Sequence, residues 1–400
     1  MNIKDKVECA ECTSCQMCAA VCPKVAIEIK LNEDGFYRPY VNEERCVDCG
    51  LCVKVCRKFD DSISDFGVEK LYKTKLYAAY VKDKDVLRHT TSGGVADVLA
   101  KQLIEDNYKV IGVVYDSVED CAKHKVADSI EDTDSFRGSK YIQSYTIDAF
   151  KELVRGVRNE KFAVFGLPCQ IYAINKYLNL IKRRENCVLI DLYCHGCPSM
   201  LAWEKYSSDR KKACGVKGWN NVLWRSKARG WGNFVLELQD KKDSQRDISR
   251  PLNNEFFDLF FSNQILNRSC TDCHLRGTLA YTDIRLGDFW GRDYEKTFEG
   301  VSGVSLVTDQ AFILFDKIKD SLTFEEKDYE TFLPYQSWSH TYNINENLRS
   351  KILERLRDSD ADINDCVCLL QSKRDVKKYI KHILSYLPLS LEHKVRKVLK

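Results

Sequence analysis

The sequence predicts an α+β amino-terminal module, then an α/β domain, then a helical carboxyl-terminal segment. Three observations carry that reading: a cysteine spacing that occurs twice before residue 60, an alternation of strand and helix patterns from about residue 75 to 212, and a basic run with helical spacing near the end. The expected boundaries are 1–65, 69–335 and 336–400, with the polar stretch DDSISDFG joining the first two. A chain of 400 residues, 44% hydrophobic and 30% charged, is long enough to build two or three packed units.

Charge and patterning exclude several classes. The formal net charge is only +3 and the basic residues are spread along the chain until its last part, so nucleic acid is not an expected partner. The start, MNIKDKVECAEC, lacks the apolar core of a signal peptide, and no run of about eighteen uncharged apolar residues occurs anywhere. A cytoplasmic protein that does not cross a membrane is expected.

Nineteen cysteines in such a chain call for metal or redox chemistry, because reducing compartments keep thiols from forming a disulfide framework. Nine fall early: Cys9, Cys12, Cys15, Cys18, Cys22, Cys46, Cys49, Cys52 and Cys56. The spacing C-x2-C-x2-C-x3-C occurs at Cys12/Cys15/Cys18/Cys22 and again at Cys46/Cys49/Cys52/Cys56. In such repeats the first three thiolates curl around one iron-sulfur cube and the fourth reaches the other. The crossed pattern assigns Cys12, Cys15, Cys18 and Cys56 to one 4Fe-4S cluster, and Cys46, Cys49, Cys52 and Cys22 to a second. Zinc is the competing reading, but it usually takes two separated C-x2-C pairs, often with histidine, and no histidine precedes His89.

Three further features complete the module. Pro23 follows the first repeat, whereas Arg57 stands where the second proline would be. Cys9 is a spare thiol. Between the repeats, AIEIKLNEDGFYRPYV alternates and turns at Asp34–Gly35, which predicts a hairpin. Residues 1 to about 65 therefore read as a bacterial-type two-cluster ferredoxin, which moves single electrons and needs a redox partner.

The next domain alternates. KLYAAYV, KVIGVVYD, KFAVFG and CVLIDLYC read as strands; GGVADVLAKQLIEDN, IDAFKELVRGVRN, PCQIYAINKYLN and SMLAWEKYSSDRKK read as helices. Ligands of such domains gather at the carboxyl ends of strands, where helix amino termini point their N–H groups. TTSGG, residues 90–94, lies before a helix and suits a phosphate, or else a helix start capped by Ser92. RGSKY, residues 137–141, adds cationic and hydroxyl groups on a turn. Cys169 in GLPCQ, Cys194 in LYCHGCPS, and the pair Cys270 and Cys273 in CTDC fall at or near such junctions; Cys121, Cys187, Cys214, Cys366 and Cys368 read as packed apolar residues.

These motifs, in the order TTSGG, RGSKYIQS, GLPCQIYAI, LYCHGCPS, CTDCHLRG and DIRLGDFWG, resemble the beta subunits of coenzyme F(420) hydrogenases and dehydrogenases over about residues 8 to 291. The resemblance implies FAD and at least one more 4Fe-4S cluster. It assigns Thr91, Ser92, Gly93, Gly94, Gly138, Ser139, Lys140 and Tyr141 to the flavin, with Lys140 near the isoalloxazine. It assigns Cys169, Cys194, Cys270 and Cys273 to the third cluster, with Cys197 an alternative to Cys194. His195 is a candidate proton donor or a structural histidine.

Electron counting fits this set, since hydride donors deliver pairs, clusters carry one electron, and a flavin converts between them. The expected function is an oxidoreductase working between a deazaflavin or other two-electron substrate and the ferredoxin clusters. A second reading is an electron-transfer subunit without its own substrate site, serving cell-surface polysaccharide synthesis, as the resemblance also implies. The last stretch, SKRDVKKYIKHILSYLPLSLEHKVRKVLK, suits a solvated helix, a partner-docking segment or an anionic membrane surface.

Overall fold

The structure is a computed structural model that describes residues 2–3, 11–59, 71, 73–240, 246–249, 254–294 and 297–370. Cys9, the connection at 60–67 and the basic run after 370 lie outside the described residues.

The two cysteine repeats fold alike because their backbones repeat as well. Ser14 and Asp48, just before the second cysteine of each repeat, have φ of 60° and 49°, and Gln16 and Gly50, just after it, have φ of 65° and 73°. Short helices follow, Met17–Ala20 and Leu51–Lys54, each carrying the third cysteine. Between them β1 (Ile27–Leu31) and β2 (Tyr37–Val41) form the expected antiparallel hairpin with Ile29 opposite Pro39. Its turn closes on Gly35, where φ is +74° and a Cβ would lie 2.6 Å from Ser199 Oγ, so only glycine fits.

The larger part is built on a nine-stranded sheet. Its strands are β3 (Lys75–Val81), β4 (Lys109–Asp116), β5 (Cys121–Ala127), β6 (Ser144–Tyr145), β7 (Phe162–Phe165) and β8 (Cys187–Leu192), and after an excursion β12 (Ile284–Asp288), β13 (Ser302–Leu306) and β14 (Leu322–Lys327), in the order β14-β3-β13-β12-β8-β7-β4-β5-β6. The excursion is a three-stranded antiparallel sheet of β9 (Trp219–Ser226), β10 (Val235–Asp240) and β11 (Arg246–Ile248).

The large sheet is mixed, where strict strand–helix alternation predicts a parallel one. The pairs β4–β7, β7–β8 and β8–β12 are parallel, whereas β4–β5 is a hairpin and β3, β13 and β14 run antiparallel to their neighbours. Central strands are covered on both faces and so are largely apolar, apart from the buried pair Asp191 on β8 and Arg285 on β12. Phe162, Val164, Cys187 and Leu189 pack against helices Ile147–Gly156 and Pro168–Leu180 and against Met17 of the first repeat. The alternate residues Ala163, Val188 and Ile190 pack against helices Val95–Glu105 and Asp309–Ile318.

The amino-terminal module is fastened to this sheet by buried polar contacts. Gln16 Nε2 donates to Ser144 O and its Oε1 accepts from Thr146 N–H, both at 2.9 Å. Arg38 Nη2 donates to Asn267 Oδ1 at 3.0 Å, and Gln143 Nε2 to Gly35 O at 2.7 Å. After residue 340, helices Glu346–Arg357 and Ile363–Cys368 bury Ile352, Leu353, Leu356, Ile363 and Cys366 in the core shared with Met200–Cys214 and Glu255–Phe261. Of the thiols expected to be packed, Cys121, Cys187 and Cys366 are buried, Cys214 is half-buried and Cys368 is exposed on the last turn of its helix. Among the described residues, no helix is long and apolar enough to cross a membrane.

Candidate functional site

Two cavities in the amino-terminal module divide its eight cysteines in the crossed pattern. One is lined by Cys12, Cys15, Cys18 and Cys56; the other by Cys22, Cys46, Cys49 and Cys52. Left-handed residues flanking the second cysteine of each repeat form the type of backbone nest whose N–H groups gather around an anion. Ala26 N–H donates to Cys22 Sγ at 3.3 Å, and Asn2 Nδ2 to Cys46 Sγ at 3.6 Å. Burial pushes the Cys18 thiol well above its usual range, and Cys56 up to about 12. Cys49 is the exposed member of the second set.

A third group assembles from three separate segments. Cys169 sits in the first turn of helix Pro168–Leu180, directly after β7; Cys194 follows β8; Cys270 and Cys273 lie in a loop of short turns before β12. Burial raises Cys169 well above the thiol range, and the sulfurs of Cys15, Cys270, Cys273 and Cys194 add to the shift. Cys194 rises to about 12 for the same reasons, burial first and then Cys270. Cys197 is buried, and burial followed by the nearby sulfurs of Cys270 and Cys194 pushes its thiol well above the usual range.

The loop carrying Cys270 and Cys273 is held from beneath. Arg285 on β12 is fully buried, paired with Asp191 on β8 by Nε–Oδ1 and Nη2–Oδ2 contacts of 2.8 and 2.5 Å. Its Nη1 donates to Arg276 O at 3.1 Å and Nη2 to Leu275 O at 3.3 Å. Arg276 in turn donates to His195 O at 3.1 Å and to Cys270 O.

His195 does not offer a free nitrogen. Nε2 lies 2.8 Å from Asn263 Oδ1 and Nδ1 3.1 Å from the Tyr342 hydroxyl, so Nε2 donates and Nδ1 accepts. Burial pushes the ring down to about 4, hence neutral. Of the two readings the geometry favours the structural one, in which His195 braces the Cys194 loop between Asn263 and Tyr342.

The segments 90–94 and 137–141 meet, although 48 residues separate their contact: Ser139 N–H donates to Thr91 Oγ1 at 2.7 Å. Gly138 has φ of +81° with open space where a Cβ would be. Lys140 Nζ donates to Phe136 O and Arg137 O at 3.2 and 3.0 Å; burial draws it down to about 7, against those carbonyls, which favour the ammonium. Tyr141 is packed against Phe257 and Phe260, near Cys194.

One expectation for TTSGG needs correction. Ser92 does not cap the helix: its Oγ donates to Val301 O at 2.8 Å, and Gly94, with φ of +81°, is the cap residue. Gly93 is required by the protein's own sheet, since a Cβ would lie 2.2 Å from Ala79 O and its N–H donates to Ser302 Oγ at 2.9 Å. Gly93→Val is therefore expected to lower stability by ~1–3 kcal/mol with or without a bound cofactor, read from denaturant unfolding of the flavin-free protein.

Comparison with known proteins then bears on this geometry. Residues 159–331 match the family described as the C terminus of the coenzyme F(420) hydrogenase/dehydrogenase beta subunit, and residues 11–58 match the 4Fe-4S dicluster domain. Residues 159–331 are thus similar to that family, behind a segment similar to dicluster domains. An F(420)H(2) dehydrogenase subunit of Methanosarcina mazei is 27% identical over 48% of this chain and 56% of its own length. The coenzyme F(420) hydrogenase subunit beta of Methanococcus voltae is 27% identical over 31% of this chain and 45% of its own. The chain thus spans about half the length of these curated relatives. A chain of the F(420)-reducing NiFe hydrogenase complex from Methanosarcina barkeri, solved as a xenon derivative, is 19% identical over 71% of this chain and 88% of its own, with a TM-score of 0.46.

Within residues 159–331 several polar residues at the site are not legible in the sequence. Lys227, directly after β9, is buried and donates to Ser92 O at 2.7 Å and to Leu87 O. Arg225 is buried, bonded to the Tyr141 hydroxyl at 3.1 Å and Asp288 Oδ2 at 3.0 Å, and lies over the rings of Phe234 and Trp290. The motif DIRLGDFWG already contains the signal for Asp288 and Arg285. WNNVLWRS, the β9 sequence, carries no motif that marks Arg225 or the lysine after it.

Proposed function

We propose that the chain passes electrons between a two-electron small molecule, a deazaflavin coenzyme or a substrate of similar hydride chemistry, and a one-electron redox partner protein. In this reading Cys12, Cys15, Cys18 and Cys56 hold one 4Fe-4S cluster, Cys46, Cys49, Cys52 and Cys22 a second, and Cys169, Cys194, Cys270 and Cys273 a third. Thr91, Ser139, Lys140 and Tyr141 hold FAD.

The observation that carries the reading is the order of neighbours. The third cysteine group reaches the first cavity, where Cys169 Sγ is 4.0 Å from Thr13 O, and on its other side Cys194 is within electrostatic reach of Tyr141. The donor sets support polynuclear groups. A tetrahedral zinc site usually takes two separated C-x2-C pairs, often with histidine, whereas each amino-terminal set is a C-x2-C-x2-C triplet completed by a cysteine of the other repeat. The first eight cysteines instead ring two cavities. Bound flavin exchanges electrons in pairs with hydride donors and singly with iron-sulfur centres.

The protein's own residues supply the rest. Lys227, bonded to Ser92 O, and Lys140, next to the Ser139 that meets Thr91, stand near the amino terminus of helix Val95–Glu105; burial draws each down to about 7, and a bound anionic cofactor would favour their ammonium forms. Cys194 is favoured over Cys197 as the ligand because Cys169 and Cys273 adjoin it. The engaged state of Lys140 and of the Gly93 N–H favours a second reading, an electron-transfer subunit without a substrate site. The test is anaerobic purification, assay of acid-released flavin, and mixing with hydride donors. About one flavin per chain, bleached by a donor, is expected; bound flavin indifferent to every donor would support the second reading, and flavin-free protein would contradict both assignments at 90–94 and 137–141.

A further inference from the structure

Arg57 follows Cys56 at the place where the first repeat has Pro23. Its Nη1 donates to Cys273 Sγ at 3.6 Å, across 216 residues of sequence. The same side chain lines the cavity of Cys12, Cys15, Cys18 and Cys56, and its charge favours the Cys15 thiolate. One guanidinium therefore spans two cysteine groups from distant parts of the chain. The turn that carries it is fixed: Lys176, on the helix that bears Cys169, donates to Cys56 O at 3.2 Å.

Placement decides what such a group does. Reducing a cysteine-ligated cluster adds negative charge, and its potential responds to net charge, to hydrogen bonds on the sulfurs and to solvent exposure. A charge-assisted N–H···S contact from a half-buried guanidinium stabilises the added charge more than a solvated lysine would. Proline, the residue of the other repeat, has neither charge nor donor. A second cation beside the Cys270 loop, Arg276, directs donors at the carbonyls of His195 and Cys270.

We infer that Arg57 raises the reduction potential of the cluster at Cys169, Cys194, Cys270 and Cys273 by its contact with Cys273, so that the departure from proline couples the ferredoxin module to the larger domain. The inference rests on the third-cluster reading above. Arg57 is a positioning residue in this account, since it acts through a ligand.

The test is an EPR-monitored redox titration of anaerobically purified full-length protein, with Arg57→Gln and Arg57→Lys beside the wild type. Arg57→Gln is expected to keep about twelve iron atoms, four per cube. The signal that Cys273→Ala abolishes should move to more negative potential by about a tenfold change in its reduction equilibrium, about 59 mV for one electron. Arg57→Lys should recover more than half of that shift. An unmoved midpoint, equal shifts in both variants, a shift only in signals that survive Cys273→Ala, or iron lost in Arg57→Gln and not restored by lysine would each overturn the proposal. A wild type holding only about eight iron atoms would instead remove the third-cluster reading beneath it.

Discussion

Cys273→Ala in the full-length chain is expected to lower the iron content from about twelve atoms to about eight and to leave bound flavin in place. The loss follows from the donor set. Cys273 is one of four thiols drawn from three segments, and alanine supplies no donor, whereas serine could supply an alkoxide. The backbone around it should survive the change, because the loop is held by Arg285 through Leu275 O and Arg276 O and not by the thiol. Full-length protein is the right material, since the amino-terminal module shares buried hydrogen bonds with the sheet at Gln16, Arg38 and Gln143. Iron analysis with EPR reads the result. Unchanged iron in a folded variant would show that Cys273 is not a ligand.

The largest loss of stability is expected from Asp191→Ala. Asp191 and Arg285 are both fully buried, and among the described residues Asp191 is the carboxylate that pairs with Arg285, whose remaining partners are backbone carbonyls and Tyr281 Oη at 2.8 Å. Removing the carboxylate leaves a guanidinium without a counter-charge in a dry environment, at a cost of about 3–5 kcal/mol. Denaturant unfolding of the variant measures it. The double variant Asp191→Leu with Arg285→Met removes both charges and should recover part of the loss, because an apolar pair does not leave a buried charge behind. The double variant should still disturb the cysteine loop, which loses the donors to Leu275 O and Arg276 O. A single variant as stable as the wild type would mean that water reaches Arg285.

What the sequence reveals depends on whether the signal is local. The repeats are legible because each folds from its own spacing, and the Asp34–Gly35 turn because only glycine fits there. Strands such as KVIGVVYD and CVLIDL are legible as apolar runs, and their helices as periodic ones. Strand order is not, because pairing joins residues far apart: β3 lies between β13 and β14, over 200 positions later. Nor is β5 as CAKHKVA, whose polar residues obscure a strand in which His124 is buried against Phe150. Gly93 shows a subtler limit. The sequence marks a close backbone approach correctly, but the approaching group is Ala79 O of the protein's own sheet. The third cysteine group is legible from C-x2-C and the resemblance, while its brace, Asp191 with Arg285, depends on a contact across 94 residues. Arg57 stands out in the sequence only as a missing proline.

The central claim is the proposal that the chain is an iron-sulfur electron-transfer protein with three four-cysteine sites, the outermost including the exposed Cys49. Its most direct test is combined iron, zinc and acid-labile sulfide analysis of the full-length protein purified without oxygen. The account predicts about twelve iron and about twelve sulfide per chain, with EPR signals of reduced clusters after dithionite. Stoichiometric zinc with no labile sulfide would contradict it.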